Sequence, residues 1–115
     1  MFKKKISVMG EEQMYQLRIY TLASKEAAKI YCDVQWKRHI ISLGKYEITT
    51  HNVFTDVEYS DVPHVFAIVS YNGKDMDEQD AKYMKSADFK EDMEGFDIKN
   101  IVGVKSVKMD QVNIF

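Results

Sequence analysis

The chain has 115 residues, of which 45% are hydrophobic and 30% charged, and its net charge at pH 7 is −2. This length fits one domain with its own core, and the charge argues against a nucleic-acid partner, because phosphate-binding surfaces need clustered cations. No apolar stretch approaches the roughly 20 residues that span a bilayer, and the single cysteine cannot form an internal disulfide. We therefore expect a globular cytoplasmic protein that binds neither nucleic acid nor membranes.

Residues 1–13 have the features of an extension that precedes the domain, which we place at residues 14–115. Strand-like alternation begins only at Met14, directly after the polar segment Gly10–Gln13. Codons for Gly-Glu-Glu are rich in purines and could serve as a ribosome-binding sequence, in which case Met14 is the natural start. A genuine N-terminal extension is the alternative, since chain termini tolerate additions.

The first predicted strand covers residues 15–22. It places Tyr15, Leu17 and Ile19 on one face of a sheet and Gln16 and Arg18 on the other.

A long helix is predicted over residues 25–43, with Ser24 as its N-cap and Gly44 in the left-handed conformation that often ends a helix. At about 100° per residue its apolar residues form two stripes on nearly opposite sides. The stripes consist of Ala27, Ile30, Tyr31, Val34 and Ile41, and of Cys32, Trp36, Ile40 and Leu43. We therefore predict a helix that is buried on two sides. Arg38 falls within the first stripe, so either the helix bends there or Arg38 reaches a buried acceptor.

The second half of the chain predicts two strands, a helix in two pieces and a last strand. The strands cover residues 48–59 and 64–71, separated by the linker 60–63 that ends in Pro63. The second of them is apolar on both faces, which is typical of a covered central strand. Asp75 or Asp77 can cap the next helix, and Ser86 begins a break and a new cap. The last strand covers residues 101–112, and Gly103 suggests a bulge.

This order of elements, βαββαβ, predicts an α+β fold of the ferredoxin-like type, with a four-stranded antiparallel sheet. Helices on one face would leave the other face of the sheet bare. Because the strand over residues 64–71 is apolar on both sides, we expect a second copy of the chain to cover that face as a two-fold homodimer.

Four segments of the sequence resemble the NIPSNAP family of dimeric α/β barrel proteins: YQLRIYTL, WKRHIISLGKYEITTHNVF, HVFAIVSY and YMKSADFKEDMEGFD. The similarity runs in linear order from about Met14 to Val112. Three features carry most of it: the Trp36 and His39 pair, the Gly44 turn before the second strand, and the small, acidic and aromatic residues in succession at Ala87–Phe89. The resemblance implies the βαββαβ fold, barrel-forming dimers and a cavity between helices and sheet. It implies no reaction, since related dimeric barrels include cofactor-free oxygenases, haem-degrading enzymes, isomerases and stress-response proteins.

His39 is the candidate catalytic residue, because a neutral imidazole can act as an acid or a base near neutral pH. The alternative is a purely structural role, in which His39 forms a hydrogen bond with a free carbonyl at the helix end or packs in the core. Candidate ligand-binding residues are Trp36, His51, Tyr71, Tyr83 and Phe89. His51 could share a cavity with His39, although a partly buried histidine that bonds its neighbours is the commoner case.

No metal or cofactor is predicted. The sequence has neither a CxxC pair nor a HExxH motif. Two histidines without a carboxylate motif do not define a metal centre, and no further residue selects for haem on His39 or His51. Cys32 gives no signal of a nucleophile.

Two functions of different class follow. In the first, the protein binds a small apolar or aromatic molecule in a cavity between helix and sheet, as a cofactor-free oxygenase or isomerase with His39 as acid/base. In the second, it is a non-catalytic interaction or stress-response module whose apolar surface serves dimerisation.

Overall fold

A computed structural model describes residues 14–58, 62–73 and 75–114 of the chain. The predicted extension over residues 1–13 and part of the linker, residues 60 and 61, lie outside the described residues. Within the described residues, no helix is long and apolar enough to cross a membrane. The cytoplasmic location stays a prediction.

One antiparallel sheet of four strands carries the helices on one face. The strands are β1 (Met14–Leu22), β2 (Ile48–Thr55), β3 (His64–Tyr71) and β4 (Ile101–Met109), and their order in the sheet is β2-β3-β1-β4. A long helix between β1 and β2 consists of α1 (Lys25–Ile30), a π-helical segment (Tyr31–Trp36) and α2 (Lys37–Gly44). Between β3 and β4 lie α3 (Met76–Met84), α4 (Ala87–Asp92) and a short 3-10 turn (Ile98–Asn100). The α+β, ferredoxin-like fold predicted from the sequence is confirmed.

The predicted caps that begin the helices are present. The side chains of Ser24, Asp75 and Ser86 accept hydrogen bonds from the first turns of α1, α3 and α4, which satisfies backbone N–H groups that have no partner within the helix. The break between α3 and α4 therefore lies at Ser86, as its sequence indicates.

Two strands end earlier than predicted, and each contains a bulge. β2 ends at Thr55 and β4 at Met109. In β2 the pairing shifts between Thr50 and Asn52, so that His51 is an extra residue. In β4 Val102 is the extra residue, because Thr21 pairs with Gly103 and Leu22 with Ile101. The bulge predicted at Gly103 is therefore present, with the extra residue one position before this glycine.

The core lies between the helices and the inner face of the sheet. Its largest fully buried side chains include Leu22, Trp36, Leu43, Ile48, Val65, Val69 and Tyr71. These residues come from β1, the long helix, β2 and β3, so the helix between β1 and β2 covers these three strands.

The prediction of two buried stripes on the long helix is wrong, and the π-helical segment Tyr31–Trp36 is the reason. A π turn spaces hydrogen-bonded residues five apart instead of four, which adds one residue to the turn. Tyr31 and Trp36 therefore share one buried face, together with Gln35, His39 and Leu43. Of the other apolar residues in the two stripes, Ala27 is buried and Cys32 is partly buried, whereas Ile30, Val34, Ile40 and Ile41 are exposed.

The predicted left-handed cap at Gly44 is also wrong. Gly44 closes α2 without a positive φ, the C-cap residue Lys45 has right-handed angles, and the positive φ of this turn falls on Glu47 at 62°. The backbone N–H groups of Lys45, Tyr46 and Glu47 bond successive carbonyls at the helix end, which closes the turn without a glycine.

The two glycines at helix ends should therefore respond in opposite ways to alanine. Gly44→Ala is expected to stabilise the protein by about 0.5 kcal/mol, since the new Cβ meets nothing within 4 Å and alanine favours the helix. Gly95→Ala is expected to cost about 1 kcal/mol, because Gly95 has a φ of 86°. Urea denaturation of the two variants at equal protein concentration measures both effects, and a stabilising Gly95→Ala would contradict this account.

The outer face of the sheet is largely apolar, and none of the helices that the structure describes packs on it. Leu17 pairs with Ile68, and Ile19 and Phe54 both flank Phe66, so these side chains share one face. Four of the five are only partly buried, and Phe54 is 51% exposed.

Candidate functional site

A cavity of about 450 Å³ lies between the helices and the inner face of β1 and β4. This volume is within the range of small-molecule sites. Its apolar lining comprises Trp36, Met84, Phe89, Met93, Ile98, Ile101 and Val104. Three of these side chains, Met84, Ile98 and Val104, are more than half exposed, so the cavity opens to solvent beside the edge strand β4.

His39 reaches the cavity wall from α2 and is held by a chain of buried polar groups. The Tyr83 hydroxyl donates to Asp92 Oδ2 at 2.5 Å, and the Ser42 hydroxyl donates to Asp92 Oδ1 at 3.0 Å. Tyr83 has a single hydroxyl proton, so it accepts from Nδ1–H of His39, with which it is in close contact. This fixes the tautomer of His39 with the proton on Nδ1. Among the described residues Nε2 has no hydrogen-bond partner and keeps a free lone pair.

His39 is neutral at physiological pH. Burial lowers its pKa to about 4, against the opposing effect of the Asp92 carboxylate, whose Oδ2 lies 3.4 Å from Nδ1. Burial and Asp92 together raise the pKa of Tyr83, so its hydroxyl keeps its proton. The arrangement presents a hydrogen-bond acceptor, and a base of modest strength, to an apolar space.

Arg38 and Gln35 hold the segment that carries Asp92. Arg38 Nη1 donates to the carbonyl oxygens of Glu91, Asp92 and Glu94 at 3.3, 3.3 and 2.9 Å. Gln35 Nε2 donates to Glu94 O at 3.4 Å. Arg38 therefore binds free carbonyls at the end of α4. The sequence left open whether the helix bends at Arg38 or Arg38 reaches an acceptor. Arg38 reaches backbone acceptors, and the irregular part of the helix, the π-helical segment, ends just before it.

A second polar cluster lies on the sheet side of the cavity, around Arg18 of β1. Arg18 Nη2 donates to Asp80 Oδ1 and to the Tyr71 hydroxyl, both at 2.7 Å, and Nε donates to Gln16 Oε1 at 2.9 Å. Among the residues that the structure describes, Nη1 makes only a long contact of 3.5 Å with the Tyr20 hydroxyl.

The Arg18 cluster holds a charged pair in a mostly buried place. The side chains of Arg18 and Asp80 are 13% and 30% exposed. Burial opposes the charge on Arg18, but the oxygens of Tyr20, Tyr71 and Asp80 outweigh it and raise its pKa. Burial also raises the pKa of Tyr71. The guanidinium is therefore a fixed positive charge beside the cavity, already balanced by one carboxylate.

Trp36 adds an unsatisfied donor. The residue is 1% exposed and lines the cavity, and its Nε1–H is buried with no acceptor among the described residues. Tyr31 and Tyr20, which also line the cavity, pack edge-on against it. An unpaired buried N–H group is unfavourable, so a ligand oxygen that accepts a hydrogen bond from Trp36 Nε1–H would strengthen ligand binding.

The structure brings most of the predicted site residues together. His39, Trp36, Tyr83 and Phe89 all line the cavity. Tyr71 lies behind the cavity wall, where its hydroxyl contacts Arg18 and Asp80.

His51 lies elsewhere, and the suggestion that it shares the cavity with His39 is not met. Its Nε2 is 2.7 Å from Ser70 Oγ, and its ring packs against Tyr15 at 5.4 Å, both on the outer face of the sheet. The bulge in β2 falls on this residue. Sequence alone could not show which face a residue at a bulge takes.

Sequence reasoning missed the Arg18 cluster and Asp92. A signal was present in β1, where Gln16 and Arg18 share the face that the structure turns inward. Polar residues on the inner face of a strand are uncommon unless they serve a site. Asp92 gave no such signal, since one acidic residue in a charged helix is ordinary.

No group of three or more His, Cys, Asp and Glu side chains in the described part of the chain is placed to hold a metal ion. Cys32 is partly buried, and burial raises the pKa of its thiol to about 11.

The sheet order, the helices on one face and the cavity between them define a ferredoxin-like α+β protein, and solved structures with this fold were found. No protein-family model and no curated protein matches the sequence. A NIPSNAP family protein of unknown function from Agrobacterium tumefaciens superposes with a TM-score of 0.70 at 16% identity, over 93% of this chain and 95% of that one.

Two further structures share the fold. An uncharacterised NIPSNAP domain protein from Burkholderia xenovorans has a TM-score of 0.68 at 9% identity, over 89% of this chain and 97% of its own. A candidate antibiotic biosynthesis monooxygenase from Nitrosomonas europaea has a TM-score of 0.58 at 9% identity, with coverage of 92% and 97%. These structures confirm the resemblance to NIPSNAP proteins at the level of the fold. Sequence identities this low show a shared fold and nothing further.

Proposed function

We propose that the protein binds a small apolar or aromatic molecule in the cavity and acts on it as a cofactor-free isomerase or oxygenase, with His39 as acid/base. The observation that supports this proposal is a neutral, buried His39 whose Nδ1 is fixed by Tyr83 and Asp92 and whose Nε2 has no partner in the described part of the chain. A general base needs its lone pair free and its tautomer set.

The two polar clusters have different roles in the proposed reaction. His39 Nε2 takes a proton from the bound molecule, and Asp92 stabilises the imidazolium through Tyr83. The guanidinium of Arg18 favours negative charge on the molecule. Return of the proton at another carbon completes an isomerisation, whereas reaction of the electron-rich anion with O₂ is an oxygenation. Similarity in fold to the candidate monooxygenase is compatible with the second course.

Trp36 makes binding directly measurable, because it is the single tryptophan of the chain and lines the cavity. We expect 2-naphthol to change its fluorescence saturably. His51→Gln, a histidine change on the outer face of the sheet, is the matched control and is expected to leave the titration unchanged. Absence of a saturable change with 2-naphthol, and of any molecule bound to the purified protein by native mass spectrometry, would overturn the binding proposal.

Catalysis is tested on whatever molecule co-purifies. The protein is incubated with it in D₂O, and separately under ¹⁸O₂, and the products are analysed by mass spectrometry. Deuterium incorporation indicates proton abstraction, and ¹⁸O indicates oxygenation. We expect His39→Gln to reduce either signal at least 100-fold. An unchanged rate in His39→Gln would contradict the role of His39.

We also propose a homodimer built on the outer face of the sheet, which supports the alternative function as a non-catalytic interaction module. No helix or strand among residues 14–58, 62–73 and 75–114 covers the apolar side chains around Leu17, Phe66 and Ile68, and a two-fold axis lets one patch cover its copy. Ile68→Lys is expected to give a monomer by light scattering, whereas Ile41→Lys on the exposed helix face keeps the dimer. A monomeric wild-type protein would contradict this.

A further inference from the structure

Besides the Nε1–H of Trp36, the cavity presents two polar groups with unused hydrogen-bonding capacity, and they are of opposite kind. His39 offers only an acceptor, since its Nδ1–H is engaged by Tyr83 and its Nε2 lone pair has no partner among the described residues. A ligand group that meets it must therefore be a donor, such as a hydroxyl.

Arg18 offers only donors. A guanidinium carries five N–H groups, and Nε and Nη2 are committed to Gln16, Tyr71 and Asp80 at 2.7 to 2.9 Å. Nη1 has only the 3.5 Å contact with Tyr20, which is too long for a good hydrogen bond. A ligand group that meets Nη1 must therefore be an acceptor, such as a carbonyl oxygen.

The charges already present disfavour a ligand with a permanent negative charge. The positive charge of Arg18 is balanced by Asp80 at 2.7 Å, and Asp92 adds a second buried carboxylate. A ligand carboxylate would bring a further uncompensated charge into an apolar space, which is costly. A neutral weak acid avoids this cost, because transfer of its proton to His39 creates two opposite charges at once.

We infer that the cavity takes a flat apolar molecule in which a hydroxyl is conjugated to a carbonyl group, with the hydroxyl at His39 Nε2 and the carbonyl at Arg18 Nη1. The inference rests on the proposed function and names the class of molecule for that site. In the proton transfer, the ligand O–H bond breaks and an N–H bond forms on Nε2. The electron pair stays on the ligand and spreads through the conjugated system to the carbonyl oxygen, where the guanidinium stabilises it.

A matched set of flat bicyclic probes tests the inference. 7-Hydroxycoumarin carries the hydroxyl and the conjugated carbonyl, 7-methoxycoumarin lacks the donor, 2-naphthol lacks the carbonyl, and coumarin-3-carboxylate is permanently anionic. Each probe is titrated against the wild-type protein with Trp36 fluorescence as the readout. We expect 7-hydroxycoumarin to bind at least tenfold more tightly than the other three probes.

Two variants assign the contacts. His39→Leu removes the acceptor, so it is expected to abolish the preference for 7-hydroxycoumarin over 7-methoxycoumarin. Asp80→Asn removes the charge that balances Arg18, so it is expected to strengthen binding of coumarin-3-carboxylate at least tenfold. Lys29→Gln, on the exposed surface, is expected to change neither result.

The outcomes separate this inference from the proposed function. Similar affinity for all four probes would overturn the inference about the ligand class and leave the cavity as a binding site. Tightest binding of coumarin-3-carboxylate by the wild-type protein would likewise overturn it. No saturable binding of any probe would overturn both proposals.

Discussion

Arg18→Met is expected to lower the free energy of unfolding by about 2–3 kcal/mol. The substitution leaves Asp80 without its ion-pair partner and deprives Gln16 and Tyr71 of hydrogen bonds. Breaking a fully buried ion pair costs roughly 3–5 kcal/mol, and the lower figure applies here because Asp80 is 30% exposed and water can reach it. Urea denaturation at fixed protein concentration, followed by far-UV circular dichroism, measures the change.

Arg38→Met is the matched control for this experiment. Arg38 also makes three hydrogen bonds, but all to backbone carbonyls at a partly exposed helix end, so its loss is expected to cost about 1 kcal/mol. In the background of Asp80→Asn, the cost of Arg18→Met should shrink, because the two residues act as one unit. A loss below 1 kcal/mol for Arg18→Met would show that the ion pair contributes little to stability.

Stability is expected to fall by about 3 kcal/mol between pH 6.5 and pH 4 through His39 alone. The pKa of His39 is about 4 in the folded protein, against an ordinary value of 6.5. Between these two values the unfolded chain binds a proton that the folded chain does not, so acid favours unfolding. The folded state is at full stability above pH 6.5 with respect to this residue, and the loss is complete once the pH falls below about 4. At about 1.4 kcal/mol per pH unit, the window gives the stated magnitude.

His39→Gln isolates this contribution, since glutamine does not titrate. The variant and the wild type are unfolded in urea at several pH values, and the difference between their free energies of unfolding is plotted against pH. The carboxylates outside the site contribute to both curves and cancel in the difference. A difference that does not vary between pH 6.5 and pH 4 would mean that the pKa of His39 in the folded protein equals its value in the unfolded chain.

The sequence was sufficient for the order of elements, because each strand and helix has clear local signals. β3 is apolar on both faces and ends at an Asn-Gly turn, and its predicted bounds match those observed. Ser24, Asp75 and Ser86 cap helices through contacts with residues three positions away, and such local contacts are readable from sequence.

The candidate site was predicted only in part, because its remaining residues are joined by contacts that are distant in the sequence. His39 and Trp36 stood out as rare residues on one helix. The pairing of Arg18 with Asp80 spans 62 positions, and that of Ser42 with Asp92 spans 50. No local pattern encodes which of many charged residues will meet across such distances.

The π-helical segment Tyr31–Trp36 has a consequence for the history of the chain. It is equivalent to one residue inserted into an ordinary α-helix. Deleting the exposed Asp33 would let this turn close in α geometry and leave the helix after it in its present orientation, so His39 would keep its place beside the cavity. A relative that never gained this residue would therefore present the equivalent side chains to the cavity, each one position earlier in its sequence. Alignment of such relatives needs a one-residue gap within residues 31–36, and without it the residues of the cavity would be compared with the wrong partners.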